Sequence, residues 1–310
     1  MRKLLFAAGL LILSTGLGAL GQEQGAKTSN AAQTSGSVSP LPSFDVSSVR
    51  ENKSGGPGYS NFPLNYGPQF GVQDGLLIVR NTGLLQLLVF AYKPDMFQIQ
   101  RFRANLPDWA RSARFDIQAR ANSRPGKDEM RLMMQSLLAE RFGMKAHHEM
   151  RELPVYALVP AKPGKWGPML KAHPADDAAC SKMKIPEAVA GAYPSGCGVA
   201  ASIPAKTEGD TAIGGYNMTM ETVAPALGGS ADITDRPVVD KTGLAGRFDF
   251  TIEFAPAKNG GVGADPASQT DVAGPTFVEA LKEQLGLKLV PETAMVDVVV
   301  IDRLERPSGE

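Results

Sequence analysis

A helix that passes through a glycine into a strand occurs twice in this 310-residue chain. Gly143 with Met144, Lys145 and Glu149 aligns without a gap on Gly286 with Leu287, Lys288 and Glu292. At the same spacing, Val155-Tyr156-Ala157-Leu158 falls on Val298-Val299-Val300-Ile301. Upstream, Leu138, Glu140 and Phe142 match Leu281, Glu283 and Leu285, and Arg114-Phe115-Asp116-Ile117 corresponds to Arg247-Phe248-Asp249-Phe250. Asn81 and the helix after it correspond to Asn217 followed by Met220, Val223, Ala224 and Leu227. A repeat of this kind restricts the fold, because each copy must supply the same elements in the same order. That order is helix, strand, strand, helix, strand, strand. Alternating strands with only two helices per copy specify an α+β fold of two duplicated units, with helices packed on mainly antiparallel sheet.

The clearest element is the helix ending at Gly143. Met130, Met133, Met134, Leu137, Leu138 and Phe142 recur at helical spacing on one face, and Gly143 stops the helix as a left-handed cap. A hairpin is expected after it, from Met144–Met150 to Pro154–Val159. Strands are expected at Phe44–Val49, Leu76–Val79, Phe97–Ile99 and Phe115–Ala119. Between them, Leu84–Tyr92 is apolar on nearly every face and reads as a buried helix, capped by Asn81 or Thr82 and ended by Pro94. Thr276 and Glu279 form a capping box at the start of the last helix. Lys53–Gly71 and Lys258–Pro275 read as long loops.

The N-terminus carries Met1-Arg2-Lys3, an apolar run from Leu4 to Leu13, and small residues at Gly16, Gly18, Ala19 and Gly21. This is the layout of a secretory signal peptide cleaved after Gly21, the alternative being an uncleaved anchor. The domain reading is a signal peptide at 1–21, a flexible leader at 22–42 and a first α+β lobe at 43–160. A linker with a disulfide follows at 161–212, then a second α+β lobe at 213–310. Cys180 and Cys197 are the only cysteines. In an oxidising compartment such a pair reads as one loop-closing disulfide, with metal or redox chemistry the alternative. His173, Asp176 and Asp177 lie nearby, but their spacing matches no zinc pattern, and no metal or cofactor is expected.

Charge narrows the partners. The chain has 32 basic and 32 acidic residues, and loss of Arg2 and Lys3 leaves the exported form slightly acidic. With no basic excess, nucleic acid is not an expected partner. After signal cleavage no segment reaches the length of a membrane-spanning helix.

Several phrases resemble an uncharacterised family of secreted proteins from soil bacteria, the soil-associated protein family. They are Phe44-Asp45-Val46-Ser47-Ser48-Val49-Arg50-Glu51-Asn52-Lys53, Pro107-Asp108-Trp109, and Leu137 to Gly143 running on to Leu158. The most specific runs from Arg236-Pro237-Val238-Val239-Asp240-Lys241-Thr242-Gly243 to Phe250, and Glu283–Leu289 and Glu305–Ser308 close the match. Asn105-Leu106 departs from the glycines usual before that Pro107. The resemblance implies export, or fusion behind membrane sensor peptidases of the β-lactam-receptor type, and carries over no catalytic residue. Leu137 to Met144 with the strands after it is similar, more weakly, to the short N-terminal domain of secretins and TonB-dependent receptors, a small α+β interaction module.

The candidate catalytic residues are Asp116, Asp249, His147 and His148. Paired carboxylates can do acid–base chemistry if they share a cleft. The structural alternative is that each aspartate caps or pairs with its neighbouring Arg114 or Arg247. His147 and His148 are adjacent, so a strand points them to opposite faces and they cannot share a metal; one is expected packed and one solvated. No nucleophile elbow, phosphate loop or zinc-hydrolase motif occurs. Trp109, Tyr59 and Tyr66 are candidates to line a ligand groove, with Trp109 alternatively anchoring the first core. The reading is a non-enzymatic binding or interaction module, exported to the periplasm or exterior, whose partner is a protein or small molecule, with an envelope protein as one case. The alternatives are a hydrolase of an envelope or environmental polymer and a ligand-sensing domain working with a membrane peptidase.

Overall fold

The computed structural model describes residues 41–62, 64, 74–175, 196–231, 233, 235–256 and 274–307. The signal segment, nearly all of the leader, Tyr66, Cys180 and most of the Lys258–Pro275 loop lie outside the described residues. The architecture is mixed, with six α-helices and three mostly antiparallel sheets among the described residues.

The first sheet holds β1 (Val46–Asn52), β2 (Tyr59–Ser60), β3 (Leu76–Gly83) and β4 (Arg114–Arg120), in the order β1-β4-β3-β2. Its central strand β4 alternates, burying Phe115, Ile117 and Ala119. The period of two fixes which face reaches the core. The core is completed by α1 (Leu84–Tyr92) and α4 (Lys127–Phe142). Two further helices, α2 (Met96–Asn105) and α3 (Asp108–Ser112), connect α1 to β4.

Later in the chain come β6 (Leu170–Ala172), β7 (Val199–Ile203), β8 (Thr211–Met218) and β10 (Phe248–Phe254). They form a second antiparallel sheet in the order β6-β10-β8-β7. Counted along the chain, this is again first, fourth, third, second. The segment read as a linker therefore supplies β6 and β7, the two outer strands of this sheet. The second core adds α5 (Met220–Ser230) and α6 (Phe277–Ala280), which runs on into one π-helical turn at Leu281–Leu285.

Three local expectations are corrected. Phe97–Ile99 is not a strand but part of α2, because the Asp95 side chain accepts the Gln98 N–H at 2.7 Å and opens a helix there. The cap of α1 is Gly83, not Asn81 or Thr82, and no side chain caps it. The expected hairpin after Gly143 does not turn. β5 (Lys145–Pro160) and β11 (Leu287–Arg303) are single long strands that pair antiparallel with each other. Pro154 and Pro291 sit inside them without breaking the ladder. Their registry puts them on the same alternation as Tyr156 and Val299, whose N–H groups point away from the paired strand.

The ladder is symmetric in register: Glu149 faces Val298, and Glu292 faces Val155. One of its faces meets both cores. Ala146, Val299 and Ile301 pack on the first, while Tyr156, Leu158, Leu287 and Leu289 pack in the second. The third sheet is completed by β9 (Val238–Asp240), which lies parallel on Tyr156–Leu158 of β5. Where the chain leaves a helix to join each long strand, Gly143 and Gly286 take positive φ of 53° and 70°, as glycine caps require. The capping box of Thr276 and Glu279 is formed.

Candidate functional site

Asp116 and Asp249 occupy the same place on β4 and β10, in different sheets. One oxygen of Asp116 accepts the Asn81 backbone N–H and the Asn52 side-chain amide, both at 2.8 Å. One oxygen of Asp249 accepts the Asn217 backbone N–H and faces His173 Nδ1, again both at 2.8 Å. Asn81 and Asn217 have φ of 47° and 55°, a left-handed conformation that a non-glycine residue adopts at some cost. Each carboxylate thus holds the backbone of a left-handed junction between a strand and the helix after it. Of the two structural roles expected, each aspartate accepts from backbone, and among the described residues neither Asp116 nor Asp249 is ion-paired with Arg114 or Arg247. Arg247 instead donates to the Asn217 carbonyl.

The second junction is the more enclosed. The His173 and Asp249 side chains are only 3% and 9% exposed, and the His173 ring meets Tyr216 edge to face at 4.8 Å. Sequence reasoning placed His173 in the linker and missed this contact. Asn52 pairs with Arg114 across β1 and β4, while the His173 N–H donates to the Arg247 carbonyl. The two donors to the aspartates therefore hold matching positions.

His147 and His148 do lie on opposite faces of β5, but the split into one packed and one solvated is corrected. Both are exposed. His147 Nδ1 meets Asp302 at 2.8 Å, and His148 Nδ1 meets Asp297 at 3.0 Å. Beside them Arg151 donates to Glu149 and holds its carboxyl below the usual carboxylate range. No group of three or more metal-ligating side chains stands together among the described residues.

Trp109 is half-buried against the first core, and Tyr59 is exposed on β2. Cys197 is buried, beside Tyr216 in an isolated bridge. Its expected partner, Cys180, lies outside the described residues.

One groove among the described residues was not anticipated. About 340 Å³ in volume, it runs between α2 and the outer edge of β11. Gln98, Arg101, Leu106 and Pro107 form one wall, and Val298–Leu304 form the other. Gln98 spans its floor: the Val299 N–H donates to Gln98 Oε1 at 3.0 Å, and Gln98 Nε2 donates to the Asp297 carbonyl at 3.3 Å. No helix among the described residues is long and apolar enough to cross a membrane.

A family model described as a protein of unknown function, DUF3738, matches residues 85–304. No curated protein and no solved structure matches the chain.

Proposed function

The chain belongs to the DUF3738 family, described as a protein of unknown function, and from that premise we propose that it is an exported, non-enzymatic binding module built from two duplicated units. The observation that carries the reading is the use made of the two candidate carboxylates. Asp116 and Asp249 each accept a backbone N–H from a left-handed asparagine, in separate sheets. A general acid or base must reach a substrate proton, and the second of these carboxylates is buried against His173. The concave surface with open polar groups is the groove beside β11, and such grooves are where ligands settle.

Duplication is supported by the shared strand order of the first two sheets and by the symmetric register of the long ladder. Export is supported by the charged start and apolar run at Met1–Leu13 and by the likeness to secreted soil-bacterial proteins. A disulfide between Cys180 and Cys197 belongs to the same reading. So does an envelope protein or an extracellular ligand as partner, in keeping with the likeness to the short N-terminal domain of secretins and TonB-dependent receptors.

The test is a screen of the protein lacking residues 1–21 against peptidoglycan, polysaccharide and peptide pools, recording both binding and turnover. Saturable binding with no turnover is the expected result. Turnover that disappears in Asp116→Asn or Asp249→Asn while melting is unchanged overturns the reading in favour of a hydrolase.

A further inference from the structure

We infer that the groove on the outer edge of β11 is a strand-acceptor site. It takes an extended peptide of a partner protein, in parallel, with a pair of β-branched residues followed by an acidic residue. This rests on the binding reading and names its site and the class of its ligand.

The two outer edges of the long ladder differ in what covers them. Tyr156 on β5 and Val299 on β11 are counterparts in the repeat that passes through Gly143 and Gly286, and the ladder register is symmetric about them. On β5 the edge is occupied. The Tyr156 N–H donates to the Pro237 carbonyl at 2.8 Å, β9 pairs along Tyr156–Leu158, and the Lys241 N–H donates to the Leu158 carbonyl at 2.9 Å. On β11 the first of these bonds exists in substitute form. The Val299 N–H donates to the side-chain carbonyl of Gln98, which stands where the Pro237 backbone carbonyl stands on β5.

Beyond Gln98 no strand among the described residues follows, and the groove begins. By the alternation of an antiparallel ladder, the carbonyl of Val299 and both backbone groups of Ile301 point into it. These are counterparts of the groups that β9 engages on β5. An edge of this kind is a template for an incoming strand, which gains main-chain bonds and places alternate side chains in pockets. Gln98 sets the register by supplying the first rung.

The chemistry of the occupant follows from the walls. Leu106, Pro107 and the valines of β11 favour apolar, β-branched side chains, as Val238 and Val239 are at the filled edge. Of the arginines lining the groove, Arg151 is engaged by Glu149 and Arg303 by Glu305. Arg101 is exposed, lies over the Phe97 ring, and has no carboxylate partner among the described residues. A carboxylate at the place Asp240 holds in β9 complements it.

The test uses a capped, fluorescein-labelled peptide copying Arg236–Lys241, titrated into the protein lacking residues 1–21. Anisotropy reads the affinity, and amide exchange reads the location. Saturable binding with slowed exchange confined to Val298–Leu304 is expected. Ile301→Pro, which removes a groove-facing donor, and Arg101→Glu, on the exposed face of α2, are each expected to weaken binding roughly three- to tenfold. A peptide with its aspartate replaced by lysine is expected to bind more weakly to the parent.

Three results overturn the inference: no binding at millimolar peptide, equal binding to Arg101→Glu, or protection on Tyr156–Leu158 instead of β11. A ligand from the pool screen that binds the Arg101→Glu protein as well as the parent removes the edge as the site and leaves the binding reading standing. If neither the peptide nor any pool binds, both fall.

Discussion

Asp249 holds the backbone N–H of Asn217 at 2.8 Å, and the residue it holds is one that the chain bends into a left-handed conformation. The carboxylate is nearly enclosed and also faces His173. Such a group carries the geometry of the turn between β8 and α5, so its removal is expected to appear in stability. Asp249→Ala should cost about 2–4 kcal/mol, since a buried N–H loses a charged acceptor. Asp116→Ala, at the half-buried equivalent, should cost less, about 1–2 kcal/mol. Chemical denaturation of both variants checks the ranking, and equal losses contradict it.

The two helix-ending glycines are not equivalent in their surroundings. A Cβ on Gly286 would stand 2.4 Å from the Gly167 nitrogen and 2.7 Å from the Trp166 backbone, neither of which can swing aside. The Gly167 N–H is itself bonded to the Leu285 carbonyl at 2.8 Å. A Cβ on Gly143 would meet the carboxylate of Glu305, the end of a flexible side chain. Both alanine variants lose roughly 1–2 kcal/mol for the left-handed backbone. Gly286→Ala should lose a further 1–3 kcal/mol or so for overpacking. Thermal melting of the pair tests this.

Lys127, at the start of α4, is buried, and burial with the nearby Arg131 charge pushes its ammonium down to about 8. Asp128 opposes the shift. The unfolded chain keeps this lysine protonated up to about 10.4, so between those values the unfolded state binds more protons. Stability contributed by this group therefore rises with pH across that window. Lys127→Met should abolish the rise, as measured by denaturation of both proteins from pH 7 to about 10. A parallel pH profile for the two proteins contradicts the assignment.

The proposed disulfide closes the segment from Cys180 to Cys197. Loop closure of that size contributes about 3 kcal/mol. Mass spectrometry of the unreduced, exported protein should find the two residues linked, and reduction should lower the melting temperature. Recovery of both as free thiols removes the bridge.

Legibility followed the range of the interactions. The helix of α4 could be read from periodicity because six apolar residues on one face leave no other regular structure. Phe97–Ile99 could not, since three residues fit a strand as well as one helical turn, and the Asp95 cap decides the matter. A hairpin turn was expected between Met150 and Pro154, yet both lie in one strand whose partner is β11, far along the chain. The sequence repeat drew attention to Asp116 and Asp249, but their side-chain donors Asn52 and His173 are 64 and 76 residues away. Gln98 offered no signal at all, because the backbone it bonds at Val299 is 201 residues away.

By itself the sequence determined the elements that local chemistry can define: a glycine-ended helix feeding a strand, twice, and two strands that bury alternate side chains. It also determined the left-handed stop at Gly143, but not the left-handed backbone at Asn81 and Asn217. Only the tertiary structure decided which strands lie side by side. Alternation states which face of a strand is buried and says nothing about its neighbour, since every strand offers the same N–H and C=O groups at its edges. Thus β5 took β9 at one edge, while the equivalent edge of β11 received one glutamine and kept a groove.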